Sequence, residues 1–423
     1  MKIFITADFS QEGMKRLTDA GHEVKHCCWG ATHEICTEDQ LIEKLQGFDV
    51  LFVGYEPITE KVLKNTNLKI ICSIRGGPRA NIDVDYATKL GIPVIYTLGR
   101  EAIPVADFTM GQIIGLVRQI VRTDRELRSG KFTAPAQTYG SEKDVIWDMS
   151  LEGPWESRKG IELAGKTLGL VGFGTVGQEV AKRAKGFDLK VIAYDPYQKD
   201  AFFIMHRVEK VELNELCKRS DIISIHARGT EKNKGMIGQE QFSLMKDGVY
   251  FINNARAAIV DEKALREAIY SGKVAGAALD VFHKEPIRAD DPFLKMDNMV
   301  LTPHIAGAGL EVVYRHSNML CDDFFALLKG EMPKAIINPE AIGDINRFKE
   351  MGKETLAGTG RLLECQGCST EKTRTDASSC AKSVKYSAIG NANTKDITKD
   401  ITPELINKIS DEVVKQIKLK LNL

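Results

Sequence analysis

No apolar run in the 423-residue chain approaches the roughly 20 residues that a membrane-spanning helix needs. The sequence therefore predicts no membrane partner. Net charge is missing as well: 58 basic side chains balance 58 acidic ones, which leaves no electrostatic footprint for nucleic acid or an acidic membrane. Met1-Lys2-Ile3 leads straight into a strand, not into the regions of a signal peptide. The 9 cysteines are odd in number and scattered, which predicts reduced thiols in a cytoplasmic protein. Cys365-x-x-Cys368 with Cys380 has no fourth ligand nearby, so no metal is expected. What remains, 43% hydrophobic content over this length, suffices for two domains with cores of their own.

The stretch Lys166 to Tyr197 carries the sharpest signal. A short apolar run, Leu168 to Val171, reads as a strand buried on both faces. Gly172, Gly174 and Gly177 follow at the spacing G-x-G-x-x-G, then a helical pattern in which Val176, Val180, Ala181 and Ala184 share a face. A second strand, Leu189 to Tyr194, ends at Asp195, where the dinucleotide fingerprint expects an acid. Gly172 allows a tight turn, Gly174 a close approach to pyrophosphate, and Gly177 close packing of helix on sheet. The helix N-terminus at Thr175 and Val176 offers free N–H groups to phosphate. Asp195 accepts from ribose hydroxyls and repels a 2′-phosphate. NAD is the predicted cofactor.

Around this unit the chain alternates strand and helix. Strands are expected at Lys2–Thr6, Glu23–Cys27, Val50–Val53 and Leu68–Ser73, with helices at Gln11–Ala20 and, capped by Thr37, at Glu38–Leu45. Arg75-Gly76-Gly77 follows the Leu68–Ser73 strand, and consecutive glycines there suit either an amide-lined carboxylate loop or an ordinary turn. One long helix is predicted from Val105 to Arg128. After Asp195, strands are expected at Asp221–His226, Gly248–Asn253, Ala275–Val281 and Met299–Thr302, giving a doubly wound parallel sheet.

Arg256, Glu285 and His304 mark strand ends or the loops beyond them, where open α/β sheets place ligands. The set is complete for redox at a hydroxyl-bearing carbon. His304 suits the proton-transferring group, Glu285 orients it, and Arg256 holds a substrate carboxylate bidentately. Singly, each is equally at home in a surface salt bridge or a turn.

The order GFGTVG, YDPY, DIISIHAR, NNARAAIVDEKAL, ALDVFHKEP and TPHIAG closely resembles the D-isomer-specific 2-hydroxyacid dehydrogenases, up to about residue 338. That family includes 3-phosphoglycerate dehydrogenases and glyoxylate/hydroxypyruvate reductases. The resemblance implies two Rossmann-like doubly wound domains in an interrupted arrangement. Residues 1–104 and 305–338 would form a substrate domain around a nucleotide domain at 105–304. It implies Arg256, Glu285 and His304 as catalytic residues, cofactor contacts that include His226, Ala255 and Asp280, and substrate contacts at Arg75, Gly76, Gly77 and Arg256. It also implies a homodimer acting on a small 2-hydroxy or 2-keto acid. The chain departs from the family pattern at Ala257, at Ala227-Arg228-Gly229 and at Pro78 and Ala80, which leaves the substrate's identity open. Arg75, Arg79 and Arg228 either serve a phosphorylated or dicarboxylic substrate or are solvated surface charges. The alternative function is an NAD(H)-binding sensor, since the family also resembles the C-terminal-binding transcriptional corepressors, which keep these residues while acting through protein contacts.

Beyond Pro339 the resemblance ends. Residues 341–400 are polar and predicted to be a flexible linker. Residues 401–423 form a capped amphipathic helix pattern, with Leu405, Ile409, Val413, Ile417 and Leu421 in one stripe. This tail resembles the encapsulation peptides of bacterial microcompartments, which implies a shell or partner protein. A helix docked on its own enzyme or dimer mate has the same pattern.

Overall fold

The structure, a computed structural model, describes residues 1–133, 150–355 and 360–363. The tail helix at 401–423 and the Cys365, Cys368 and Cys380 group lie outside the described residues. Among the described residues no helix is long and apolar enough to cross a membrane.

Two all-parallel sheets organise the chain. The first contains β1 (Lys2–Ile5), β2 (Glu23–His26), β3 (Val50–Val53), β4 (Ile70–Ser73) and β5 (Val94–Tyr96). The second contains β6 (Thr167–Val171), β7 (Lys190–Tyr194), β8 (Glu209–Lys210), β9 (Ile222–Ile225), β10 (Val249–Asn253), β11 (Val274–Leu279) and β12 (Met299–Leu301). A last strand, β13 (Arg361–Leu363), returns to the first sheet. The spatial orders are β13-β2-β1-β3-β4-β5 and β12-β11-β10-β9-β6-β7-β8. Strands such as β3 and β4 are buried along their whole length because helices cover both faces, as parallel sheets require.

Local chemistry sets the helices that matter here. Helix α1 (Gln11–Asp19) starts where the Ser10 side chain accepts the Gly13 N–H, and α2 (Glu38–Lys44) starts on a Thr37 capping box. The single helix expected over Val105–Arg128 is instead two, α3 (Ala102–Val117) and α4 (Ile120–Arg128). Gln119 between them is left-handed, with φ 55°. The cause is distant in sequence. Gly160 comes so close that a Cβ there would lie 2.2 Å from the Val117 carbonyl oxygen, which accepts the Ile161 N–H at 3.2 Å. That carbonyl is taken out of the helical ladder.

Helix α5 (Thr175–Ala184) follows β6, α6 (Glu262–Tyr270) follows β10, and α7 (Glu311–Leu328) returns to the first sheet. There Leu320, Phe324 and Leu327 of α7 are fully buried with Ile3, Phe52 and Ile70. The following segment is pinned by Asn338. Its side chain accepts the Val94 N–H at 2.7 Å and donates to Thr88 Oγ1 and the Ile92 carbonyl.

Two expectations are corrected. The described part of the segment expected to be a linker, residues 341–355 and 360–363, holds α8 (Asn346–Thr355), which packs on α7 and buries Phe348, and β13, which pairs with β2. Over Asn346–Thr355 the polar composition is that of an amphipathic surface helix. The cysteines are not all thiols either: Cys28 and Cys36, whose Cα atoms the β2–α2 loop brings within 6.0 Å, are joined as a disulfide. Cys72, Cys217 and Cys321 are free and buried.

Candidate active site

Strand order in the second sheet reverses between β6 and β9, and open sheets bind ligands in the crevice at such a point. The glycine loop leaves β6 there. Gly172 has φ 98°, and a Cβ on it would meet the Ala227 N at 2.6 Å, so no larger residue fits against the end of β9. Gly177 backs onto the Gly172 carbonyl, where a Cβ would stand at 2.4 Å. At Gly174, by contrast, a Cβ would meet nothing within 4 Å among the described residues. Gly174 is the N-cap of α5, so the N–H groups of its first turn, from Thr175 on, have no partner within the helix. A pyrophosphate fits this cradle. Asp195 sits half-buried beyond β7, and its carboxylate accepts the amides of Phe173, Tyr197 and Gln198 at 2.9, 3.0 and 3.2 Å. It thereby ties the glycine loop to the end of β7 and sets a negative charge beside it.

His226, just past β9, has its Nε2 2.9 Å from Ser224 Oγ, while its Nδ1 is buried without a partner among the described residues. Burial pushes this imidazole down to about 4, so it is neutral at physiological pH. The orphaned nitrogen beside the glycine loop is the polar atom a bound dinucleotide would satisfy.

The second cluster lies at the ends of β10, β11 and β12. His304 Nδ1 lies 2.7 Å from Glu285 Oε2. Glu285 Oε1 accepts the Phe282 N–H at 3.0 Å. Burial alone would raise the Glu285 carboxyl, but its bonds to His304 and Phe282 and the charge of Arg256 hold it below the usual carboxylate range. It is therefore ionised near neutrality, so the His304 proton on this side is Nδ1–H and Nε2 is the nitrogen left to exchange. His304 itself has φ 57° and its N–H reaches the Thr302 carbonyl at 3.0 Å. Arg256 sends its stem past Gly229, where a Cβ would lie 3.0 Å from the Arg256 Cγ, and donates from Nη1 to the Ala255 carbonyl at 2.6 Å. The Ala255 N–H is held by Asn253 Oδ1 at 3.1 Å.

Asp280 is wholly buried. It accepts from Thr302 Oγ1 at 2.6 Å and from the Ile305 and Ala306 amides at 2.9 and 2.8 Å. Of the four lone pairs on its two oxygens, one is left without a donor among the described residues. Sequence reasoning passed over Thr302 and its neighbour Gln112, although a glutamine inside the apolar stripe of α3 was a visible signal.

From the first sheet, Arg75 to Gly77 follow β4. The N–H groups of Gly76 and Gly77 make no hydrogen bond within the described residues. The Arg75 guanidinium lies 5.4 Å over the Tyr55 ring and has no carboxylate partner among the described residues. Arg79 does have one, Asp85 at 2.8 Å, and belongs to the surface. This loop abuts the segment after β5, where Gly99 comes so close to Thr175 of the glycine loop that a Cβ would lie 3.0 Å from its Oγ1. The carboxyl edges of the two sheets thus meet at one place.

The chain is similar in sequence and fold to known proteins. Residues 110–306 match the NAD-binding domain of the D-isomer-specific 2-hydroxyacid dehydrogenases. A glyoxylate reductase of Thermofilum pendens is 36% identical over 348 residues, covering 81% of this chain and 95% of the reductase. A D-3-phosphoglycerate dehydrogenase of Methanocaldococcus jannaschii is 36% identical over 341 residues, and the match spans 80% of this chain and 59% of that protein. The crystal structure of a D-lactate dehydrogenase of Aquifex aeolicus with NAD and lactic acid aligns with a TM-score of 0.58 at 28% identity, over 80% of this chain and 99% of that one. With this likeness and the glycine cradle, the chain belongs to the D-isomer-specific 2-hydroxyacid dehydrogenase family, NAD-dependent oxidoreductases that exchange hydride between nicotinamide and a small D-2-hydroxy acid or its 2-keto counterpart.

Proposed function

We propose that Arg256, Glu285 and His304 perform the proton transfer and substrate anchoring of a 2-keto acid reductase. The observation that carries this is the 2.7 Å contact of Glu285 with His304 Nδ1, beside the charge of Arg256. Gly172 to Gly177, Asp195, His226, Ala255 and Asp280 would hold the dinucleotide, which when bound would supply or accept the hydride at the substrate's C2. Arg256 and the open amides of Gly76 and Gly77 hold the substrate carboxylate. His304 gives its Nε2 proton to the developing alkoxide, or takes it in the reverse direction, while Glu285 keeps the ring in one orientation. Arg75, laid over Tyr55 without an acidic partner among the described residues, faces the substrate's far end. Residues 1–104 and 305–338 serve as the substrate side and 105–304 as the nucleotide side.

Homodimerisation and delivery into a microcompartment through 401–423 belong to the same proposal, the second resting on the tail's sequence pattern alone. The test is NADH oxidation with glyoxylate, hydroxypyruvate, pyruvate, 3-phosphohydroxypyruvate and 2-oxoglutarate, on full-length protein and on protein truncated before Ile401. Turnover unaffected by truncation supports the enzyme with an addressing tail. NADH binding without turnover of any of these acids would favour the protein-contact alternative.

A further inference from the structure

The turn that carries His304 is held by side chains outside the proposed catalytic set. Gln112 on α3 is 5% exposed, and its Nε2 lies 3.1 Å from Thr302 Oγ1. The same hydroxyl is 2.6 Å from Asp280 Oδ1. A hydroxyl has one proton. The carboxylate takes it, so the hydroxyl must face a donor on its other side, and the Gln112 amide is that donor. Asp280 grips the two residues after His304 through the Ile305 and Ala306 amides, and Thr302 lies two residues before it. Between these anchors Pro303 makes the tight turn closed by the His304 N–H on the Thr302 carbonyl. His304 then sits at φ 57°, a conformation that an L residue with a large side chain keeps only when its surroundings over-determine it.

We propose that Gln112 and Thr302 are positioning residues: through Asp280 they hold the strained turn that aims His304, and they register that turn to α3. One helical turn earlier on α3, Thr109 Oγ1 accepts from Asn254 Nδ2 at 2.9 Å, in the loop that leads to Arg256. One helix thus sets both the proton-transferring loop and the carboxylate-anchoring loop. The proposal rests on His304 being the acid–base group.

The experiment compares steady-state kinetics of Thr302→Val, Thr302→Ser, Gln112→Leu, His304→Ala and the double variant Thr302→Val/His304→Ala, using the keto acid reduced fastest in the panel above. Thr302→Val should lower kcat by about tenfold to a hundredfold, the cost of misaiming a catalytic group, with KM and NADH affinity within about twofold. Thr302→Ser, which keeps the hydroxyl, should return kcat to within about threefold of wild type. The double variant should be no slower than His304→Ala, because Thr302 acts through His304. Gln112→Leu leaves the Thr302–Asp280 bond in place and should lower kcat by about threefold to tenfold, again at constant KM.

Wild-type kcat in Thr302→Val or in Gln112→Leu overturns the proposal. So does a Thr302→Ser variant as slow as Thr302→Val, or the same loss when His304 is already gone. Unchanged turnover in His304→Ala would instead sink the acid–base assignment, and the positioning role with it.

Discussion

His304 Nδ1 and Glu285 Oε2 stand 2.7 Å apart across a 19-residue separation, joined by loops that leave two adjacent parallel strands' ends. Glu285 is also held by the Phe282 amide, an anchor that does not involve His304. Removing the imidazole therefore leaves the carboxylate in place and takes only the exchanging proton. His304→Ala should cost about 100-fold to 10,000-fold in kcat, the usual scale of general acid–base catalysis, while fluorescence titration shows NADH bound as before.

The pair also sets an acid limit. The Glu285 carboxyl is held below its usual range, so its contribution is complete above the ordinary carboxylate pKa and is lost as pH falls through the depressed folded value. Glu285→Gln keeps the shape and removes the charge. Its pH–rate profile should differ from wild type on the acid side, and superimposable profiles would count against the pairing.

Arg75 lies over Tyr55 with no acid to neutralise it among the described residues. If it meets the distal end of the substrate, Arg75→Ala should raise KM about tenfold or more for 3-phosphohydroxypyruvate or 2-oxoglutarate, the worth of a charge-assisted hydrogen bond. Glyoxylate, which has no distal group, should be unaffected. Equal effects on all substrates would assign Arg75 to the loop's structure.

Asp195 is half-buried beside the glycine loop and accepts three amides. Asp195→Asn retains acceptor capacity but not charge. The preference for NADH over NADPH should narrow by about tenfold or more, the scale of a close charge–charge repulsion near a protein surface.

Three buried imidazoles, His22, His226 and His316, are each pushed by burial down to about 4, His316 with help from the Arg100 charge. In the unfolded chain they protonate near 6.5. Their folded values are depressed, so the unfolded state binds more protons between these limits and stability falls as pH is lowered from about 6.5 to about 4. A thermal-melting series should show that slope, and His316→Gln should flatten it.

Much of this was legible in the sequence, for physical reasons that differ by residue. Val50–Val53 and Ile70–Ser73 announce themselves because strands covered on both faces are apolar throughout. β13 does not, since Arg361 and Leu362 are exposed on an edge strand of three residues. The break at Gln119 could not be read locally, because Gly160 imposes it from about 40 residues away. The chemistry of Arg256, Glu285 and His304 follows from residue type, but their geometry depends on Gln112, Thr302 and Asp280, whose bonds link elements far apart in the chain. The Cys28–Cys36 bond was hidden for the same reason.

The pairing of β13 with β2 also orders events during synthesis. The ribosome makes β1 to β5 first, yet their sheet lacks α7 and one edge strand until residue 363 has emerged. The second sheet, contiguous from 167 to 301, has all its strands before then. The half begun first is therefore finished last, and until its closing strand arrives the nascent chain carries an unpaired β2 edge of the kind that recruits other chains.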